Sequence, residues 1–254
     1  MPWSCVPGGQ GDIRFWVGVQ VQQMNEAEKI YAGLWSKTIP LFEQGHYETD
    51  PLVCDPTDMR RGLTLRAMLT KEVVAKIEDF TTKVKGFLPN QYVTPPSDIH
   101  LTVLTVVSCS SDFHHNPDMD DAYCDVLAEC LESVSVPHIV FHGITASPSC
   151  LLLRGFPMNR CLGEMRTRLR EKFKQSSLPS SVDARYPIQT AHVTIVRFVE
   201  QQADISGFTQ FIKAHHDHPF GSQHVDRLEF VTNDWCHKQG NTKIIRTIAL
   251  NTQR

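Results

Sequence analysis

Residues 99–105 read Ile-His-Leu-Thr-Val-Leu-Thr, and residues 191–197 read Ala-His-Val-Thr-Ile-Val-Arg. His100 with Thr102 and His192 with Thr194 therefore repeat one pattern 92 positions apart (192 − 100). Side chains two apart on a β-strand point to the same face, so each copy sets an imidazole beside a hydroxyl. An unperturbed imidazole titrates near pH 6.5, so one ring of a pair can take a proton while the other gives one. A threonine hydroxyl beside each ring can donate to the non-bridging oxygens of a phosphoryl group. Two such pairs converging would form an acid–base couple around one small anion, with no need for a metal or any other cofactor. A single His-x-Thr in a strand is usually a hydrogen-bonded core residue; its recurrence in an equivalent context points to chemistry. Both copies lie in apolar runs, and both follow a proline-containing stretch, Pro95-Pro96-Ser97-Asp98 and Arg185-Tyr186-Pro187. Burying imidazoles in such runs costs stability unless they find partners.

Other side chains are candidates for holding the rest of a substrate. Tyr92 and Tyr186 sit on the stretches before the motif strands and Trp235 ends a late strand; each can stack a base or a ribose, though packing explains such aromatics as readily. Arg185 is placed to reach a second phosphate. Arg197 falls on the opposite strand parity from His192, which predicts a salt bridge behind the sheet. Arg160, Arg166, Arg168, Arg170, Lys172 and Lys174 crowd one helix. A solvated face is the expectation there, with an RNA-backbone track as the alternative, detectable as salt-dependent affinity. His215-His216-Asp217-His218 and His114-His115 are adjacent residues without i, i+4 spacing or a second ligand set, so no metal site is expected. No glycine-rich phosphate loop, Gly-x-Ser-x-Gly elbow or Walker lysine occurs.

The chain that must position these groups has 254 residues, enough for one large domain or two small ones. Its 25 Lys and Arg against 28 Asp and Glu give a net charge of −3, so no basic field exists to hold a long nucleic-acid duplex. A small ligand or one end of an RNA remains compatible. Eight cysteines, at 5, 54, 109, 124, 130, 150, 161 and 236, form no Cys-x-x-Cys pair. They read as reduced packing thiols of a cytoplasmic protein. The first residues lack the basic and apolar regions of a secretory signal, and no apolar run approaches the ~18 residues of a membrane helix.

Residues 1–60 read as an N-terminal extension packed on the main fold. A helix is predicted over 24–42 from Ala27, Ile30, Tyr31, Leu34 and Trp35, ended or interrupted by Pro40. Strands are predicted over 62–69, 99–108, 137–145, 150–156, within 188–199, over 224–233 and over 243–250. Helices are predicted over 71–86, with Thr70 as N-cap, and over 118–133, 159–175 and 206–215. This alternation predicts an α+β domain over 61–254, in two lobes at about 61–158 and 159–254. The motif strands are apolar on both parities, as central strands would be.

On His100-Leu101-Thr102 and His192-Val193-Thr194, their strand context and their separation, the chain resembles the 2H phosphoesterase superfamily over roughly residues 61–250. Cyclic nucleotide phosphodiesterases and bacterial RNA 2′,5′-ligase-like enzymes belong to that superfamily. The resemblance implies a bilobal, pseudo-twofold fold: two antiparallel-rich sheets form a central water-filled cleft, helices cover the outer faces, and the motif strands lie side by side at the centre. It implies a metal-independent phosphodiesterase for 2′,3′-cyclic phosphates or 2′,5′-linked nucleotides, with His100 and His192 as acid and base and Thr102 and Thr194 as donors. The implied partner is a small nucleotide or an RNA end, and the protein is expected to be a monomer. Which histidine is acid, and whether hydrolysis or ligation is favoured, stay open. So do two other functions: a non-catalytic module that binds nucleotides or cyclic phosphates, and a sugar epimerase using the same imidazoles with less need of the hydroxyls.

Overall fold

The structure, a computed structural model, describes residues 12–251. Cys5 and the segment read against a secretory signal lie outside those residues. The first described element is a long helix, α1 (Asp12–Glu43), which starts before the predicted 24–42 and runs through Pro40. Proline removes one helical hydrogen bond and crowds the preceding turn. Here it sits in the last turn, where Ile39 and Phe42 are both buried and the Phe42 ring packs on Phe198 at 5.5 Å. That packing holds the turn in place of the lost bond.

The remaining elements are β1 (Arg61–Met68), α2 (Lys71–Phe87), β2 (Tyr92–Val93), β3 (His100–Ser110), α3 (Asp120–Leu131), β4 (His138–Ser147), β5 (Cys150–Pro157), α4 (Cys161–Gln175), β6 (Val193–Arg197), α5 (Ser206–Ala214), β7 (Pro219–His224), β8 (Arg227–Asp234) and β9 (Lys243–Ala249). Thr70 does occupy the N-cap of α2, but its hydroxyl makes no capping bond. The predicted strand at 224–233 is β8, which starts three residues later; β7, just before it, has no counterpart in the sequence reading and joins the other sheet.

Two antiparallel sheets result, ordered β3-β1-β8-β9 and β2-β6-β5-β4-β7. Each takes strands from both sides of residue 158. Helices α3 and α4 cover the first sheet, and α1 and α2 cover the second. One apolar core runs through both, from Leu65, Val103 and Leu169 to Phe141, Val193 and Phe220. The fold is thus α+β, as the alternation predicts, and its two sheets lie about a central cleft, as the resemblance implies.

The motif strands are not central in the way their apolar character suggests. β3 is the edge of its sheet and pairs with β1 alone. An open edge offers unpaired donors and acceptors. The segment after α4 closes it: Ser181 donates its backbone N–H to the Val106 carbonyl at 2.9 Å, and its hydroxyl accepts from Ser108 N–H at 2.7 Å. β6 lies between β5 and the two-residue β2.

Both motif strands carry an extra residue. In β3, Leu104 pairs with Leu65 and Thr102 with Arg66, which leaves Val103 unpaired with any residue of β1. In β6, Val196 pairs with Leu151 and Thr194 with Leu152, which leaves Ile195 over. A bulge of this kind reverses the in–out alternation beyond it. His100, Thr102 and Thr105 therefore share one face, and His192, Thr194 and Arg197 share the equivalent face. The two bulges are themselves 92 positions apart (195 − 103), as are Thr105 and Arg197 (197 − 105).

Candidate active site

A cavity of about 500 Å³ opens between the sheets, and His100, Thr102, His192 and Thr194 all line it. The two predicted pairs are therefore brought to one pocket. Thr105 and Arg197 extend the same two rows along its wall. Ile30 and Leu34 of α1 form an apolar side, so part of the N-terminal extension belongs to the cleft.

His100 opens β3 directly after a 3₁₀ turn at Pro96–Asp98. Its Nδ1 lies 2.7 Å from the Asp98 carbonyl oxygen. A carbonyl only accepts, so Nδ1 carries the proton and neutral His100 keeps its lone pair on Nε2. His192 sits one residue before β6, with Nδ1 2.8 Å from the Thr190 hydroxyl. A hydroxyl gives or takes a proton, so this ring can present Nε2–H. Loss of water around each ring holds both pKa values down at about 4. The guanidiniums of Arg66 and Arg197 and the facing His192 add to the effect at His100, against the Asp98 carbonyl, while Arg166 and Arg197 add to it at His192. Near neutral pH both imidazoles are therefore uncharged, and an incoming anion is what would charge one of them.

The four predicted substrate contacts divide. Arg185, Tyr186 and Trp235 line the cavity, with Tyr186 exposed at its rim. Tyr92 does not line it: its ring packs against the Val53–Val199–Cys236 cluster, and its hydroxyl is buried with no hydrogen-bond partner among the described residues. The Trp235 indole is ringed by cations, with Arg185 at 4.4 Å, Arg60 at 5.0 Å and Arg197 at 5.5 Å from its centroid. Arg60 is neutralised by Asp50 and Asp58, each at 2.8 Å. Arg185 and Arg197 make no ion pair among the described residues, and Asp183 on the cavity wall is taken by Arg170 at 2.7 Å. Among the described residues, the cleft is therefore a cationic pocket with no free carboxylate lining it.

Arg197 overturns the expectation of a salt bridge behind the sheet. Simple parity holds for a regular strand and fails here because the bulge at Ile195 turns Arg197 back to the side of Thr194. The basic helix α4 is likewise not a uniformly solvated face. Arg166 is buried and donates to the carbonyls of Val103 at 2.8 Å and Thr102 at 2.9 Å. Arg170 pairs with Asp183, Lys172 with Glu129 and Arg160 with Glu164. One signal for Arg166 was available: it follows Leu162 by four and precedes Leu169 by three, on the apolar stripe itself.

His215 and His218 pack among the rings of Phe80, Phe211 and Phe220, and His216 beside Trp35. His115 bonds Asp120 at 2.7 Å. No group of three or more His, Cys, Asp or Glu side chains among the described residues could hold a metal ion. All seven described cysteines are free, four of them buried. No helix among those residues is long and apolar enough to cross a membrane. His237 and Thr94 are among the site residues that lie outside every sequence expectation. His237 lines the cavity beside His100, and Thr94 donates its hydroxyl to the Thr194 carbonyl at 3.1 Å. Neither falls in a repeat or a periodic pattern that would mark it.

No protein-family model and no curated protein sequence matches the chain. Solved structures do. TT0787 of Thermus thermophilus superposes with a TM-score of 0.54 at 16% identity, over 77% of this chain and 100% of that one. A structure described as a phosphoesterase superposes with a TM-score of 0.51 at 14% identity, over 76% of this chain and 99% of the other. E. coli LigT in complex with 3′-AMP gives a TM-score of 0.48 at 14% identity, over 76% and 99%. The likeness to the first two is one of fold.

Proposed function

From its 2H phosphoesterase fold, we propose that this protein is a metal-independent phosphodiesterase for a small 2′,3′-cyclic or 2′,5′-linked nucleotide or an RNA end. One observation carries the reading: both His-x-Thr pairs line a single cationic cavity of nucleotide size. An epimerase has less need of a hydroxyl beside each imidazole, or of guanidiniums that meet no carboxylate among the described residues, so the anion chemistry is favoured over that alternative.

The hydrogen bonds support one division of the roles. His100, with its proton fixed on Nδ1 by the Asp98 carbonyl, offers Nε2 as the base. It takes a proton from water as the water oxygen bonds to phosphorus. The bond from phosphorus to one sugar oxygen breaks, and His192, which takes up a proton when the anion binds and so carries N–H on both ring nitrogens, protonates that oxygen from Nε2 and is left neutral. Thr102, Thr194 and Arg197 face the same space and stabilise the charge on the non-bridging oxygens. A cyclic phosphate so opened leaves a phosphomonoester and a free hydroxyl. A sugar hydroxyl in place of water runs the same steps toward ligation.

Phosphorus NMR on a panel of 2′,3′-cyclic nucleotides and 2′,5′-linked dinucleotides tests the reading. Wild-type protein should convert at least one of them, and His100→Ala or His192→Ala should remove most of that activity. Thr102→Val or Thr194→Val should cost about 10- to 1,000-fold, by analogy with lost oxyanion donors. Binding without turnover in the wild type would leave a nucleotide-binding module instead.

A further inference from the structure

His237 is the third imidazole in the cleft, and its surroundings are unusual. It is 7% exposed, it lines the cavity, and its Nδ1 has no hydrogen-bond partner among the described residues. Its backbone is left-handed, with φ of 56°, a conformation that a side chain with a Cβ rarely adopts. Its ring lies on that of His100, centroid to centroid 3.9 Å and 31° from parallel.

The strain is imposed by the loop. Asp234, itself buried, accepts from the backbone N–H groups of Cys236 and Lys238 at 3.0 Å each and from Asn241 Nδ2 at 2.9 Å. Those bonds curl residues 234–241 around one carboxylate and force the turn at His237. The same loop clasps the start of the first motif, because Gln239 N–H donates to Asp98 Oδ1 at 3.1 Å. Asp98 in turn holds His100 by its carbonyl. That single bond fixes one point of the His100 ring and leaves rotation about it; a ring packed on its face removes the rotation. Strained backbone persists where the surrounding structure over-determines it, and it clusters at functional sites.

We propose that His237 is a positioning residue that seats the His100 ring, with the Asp234-organised loop as its mount. The role is carried by the flat ring and not by Nδ1, which is buried and bonds nothing among the described residues. Burial, then His100, Arg66 and Arg197, hold its pKa well below the usual value, which suits a ring that stays neutral against its neighbour.

The inference rests on the reading of His100 as a catalytic base, and its test has a readout independent of turnover. Protein labelled with ¹⁵N-histidine reports the tautomer and the number of states of each ring, with the His100 signal identified by its loss in His100→Gln. Two variants separate ring from backbone. His237→Asn suits the left-handed turn but deletes the ring; His237→Phe keeps a flat ring without nitrogens. Wild type and His237→Phe should show one Nδ1–H state for His100, and His237→Asn should show a second state or a broadened signal. On the best cyclic phosphate, kcat should fall about 10- to 100-fold in His237→Asn, as for a misplaced catalytic group, with KM nearly unchanged and with His237→Phe near wild type. An unchanged His100 signal in His237→Asn, or equal losses in Asn and Phe variants, would overturn the proposal. A wild type with no turnover on any substrate would defeat the catalytic reading and leave the NMR comparison decisive for His237.

Discussion

Arg166 and Val103 are joined by a 2.8 Å hydrogen bond, from the guanidinium Nε to the carbonyl oxygen of the extra residue in β3. The same guanidinium donates to the Thr102 carbonyl at 2.9 Å. On the other motif strand, Thr94 does the equivalent work: its N–H donates to the Ile195 carbonyl at 3.0 Å and its hydroxyl to the Thr194 carbonyl at 3.1 Å. Each bulge therefore has its carbonyls satisfied from outside the sheet, and each bulge is what aligns three residues along the cleft wall.

Arg166→Met should accordingly destabilise the protein and disturb the first half-site. Two carbonyls lose a charged donor; a hydrogen bond to a charged group contributes about 1.5–3 kcal/mol. Relief of a buried charge offsets part of this, so a net loss of about 2 kcal/mol is expected. Arg166→Lys should recover stability incompletely, because an ammonium cannot span both carbonyls with a planar fork. Urea unfolding gives the stabilities. A midpoint in Arg166→Met equal to wild type would show that the bulge needs no outside donor.

Gly155 presses on the second half-site. A Cβ at that position would fall inside contact distance of the Ala191 carbonyl oxygen, one residue before His192. The Gly155 N–H and carbonyl both bond the buried Tyr31 hydroxyl, at 3.1 and 3.0 Å, so the strand cannot slide away. Gly155→Ala should cost about 1–3 kcal/mol of overpacking and displace the His192 ring. Activity should then fall more than in a core variant of equal stability cost, such as Leu169→Ala on the buried side of α4. Equal activity in the two variants would disconnect Gly155 from the site.

The architecture and the four motif residues were legible because they depend on type and spacing. Helices α2, α4 and α5 follow from apolar stripes, and the pairing of His100 with His192 follows from a repeat. The missing pieces are those that local pattern does not encode. The bulge at Ile195 changes which side Arg197 faces without changing the letters around it. Tyr92, read as a loop residue before the first motif strand, instead pairs with β6 as part of β2 and turns its ring to the Val53 cluster. The assignment of β7 and β8 to different sheets is a tertiary fact, and His237 owes its place to three hydrogen bonds on Asp234.

The two low histidine pKa values give stability a definite dependence on pH. Each ring titrates at about 4 when folded and near 6.5 when unfolded. Between those values the unfolded chain binds more protons, so stability rises with pH across about 4 to 6.5 and is complete above that window. Thermal unfolding at pH 5 and pH 7 should therefore show a larger drop in wild type than in His192→Gln, which has one fewer ring to charge. Identical drops would mean that the fold does not hold His192 neutral.

Arg197 makes the last prediction, because it acts on both rings and on the anion at once. It faces the cavity without a carboxylate partner among the described residues, and its charge adds to the downward shift of His100 and of His192. Arg197→Gln should raise both pKa values, though not to 6.5, since burial is the larger cause at each ring. It should also weaken binding of inorganic phosphate or a nucleoside 3′-monophosphate about tenfold or more, the worth of one charge-assisted hydrogen bond. The two effects oppose each other in proton linkage. In wild type, binding of an anion pulls protons onto neutral rings, which calorimetry reads as heat that varies with buffer ionisation enthalpy. In Arg197→Gln the rings start closer to charged, so proton uptake near pH 6 should shrink while affinity falls. Affinity that falls with uptake unchanged would place Arg197 at the substrate but out of electrical reach of the histidines. Uptake that shrinks with affinity unchanged would place it behind them.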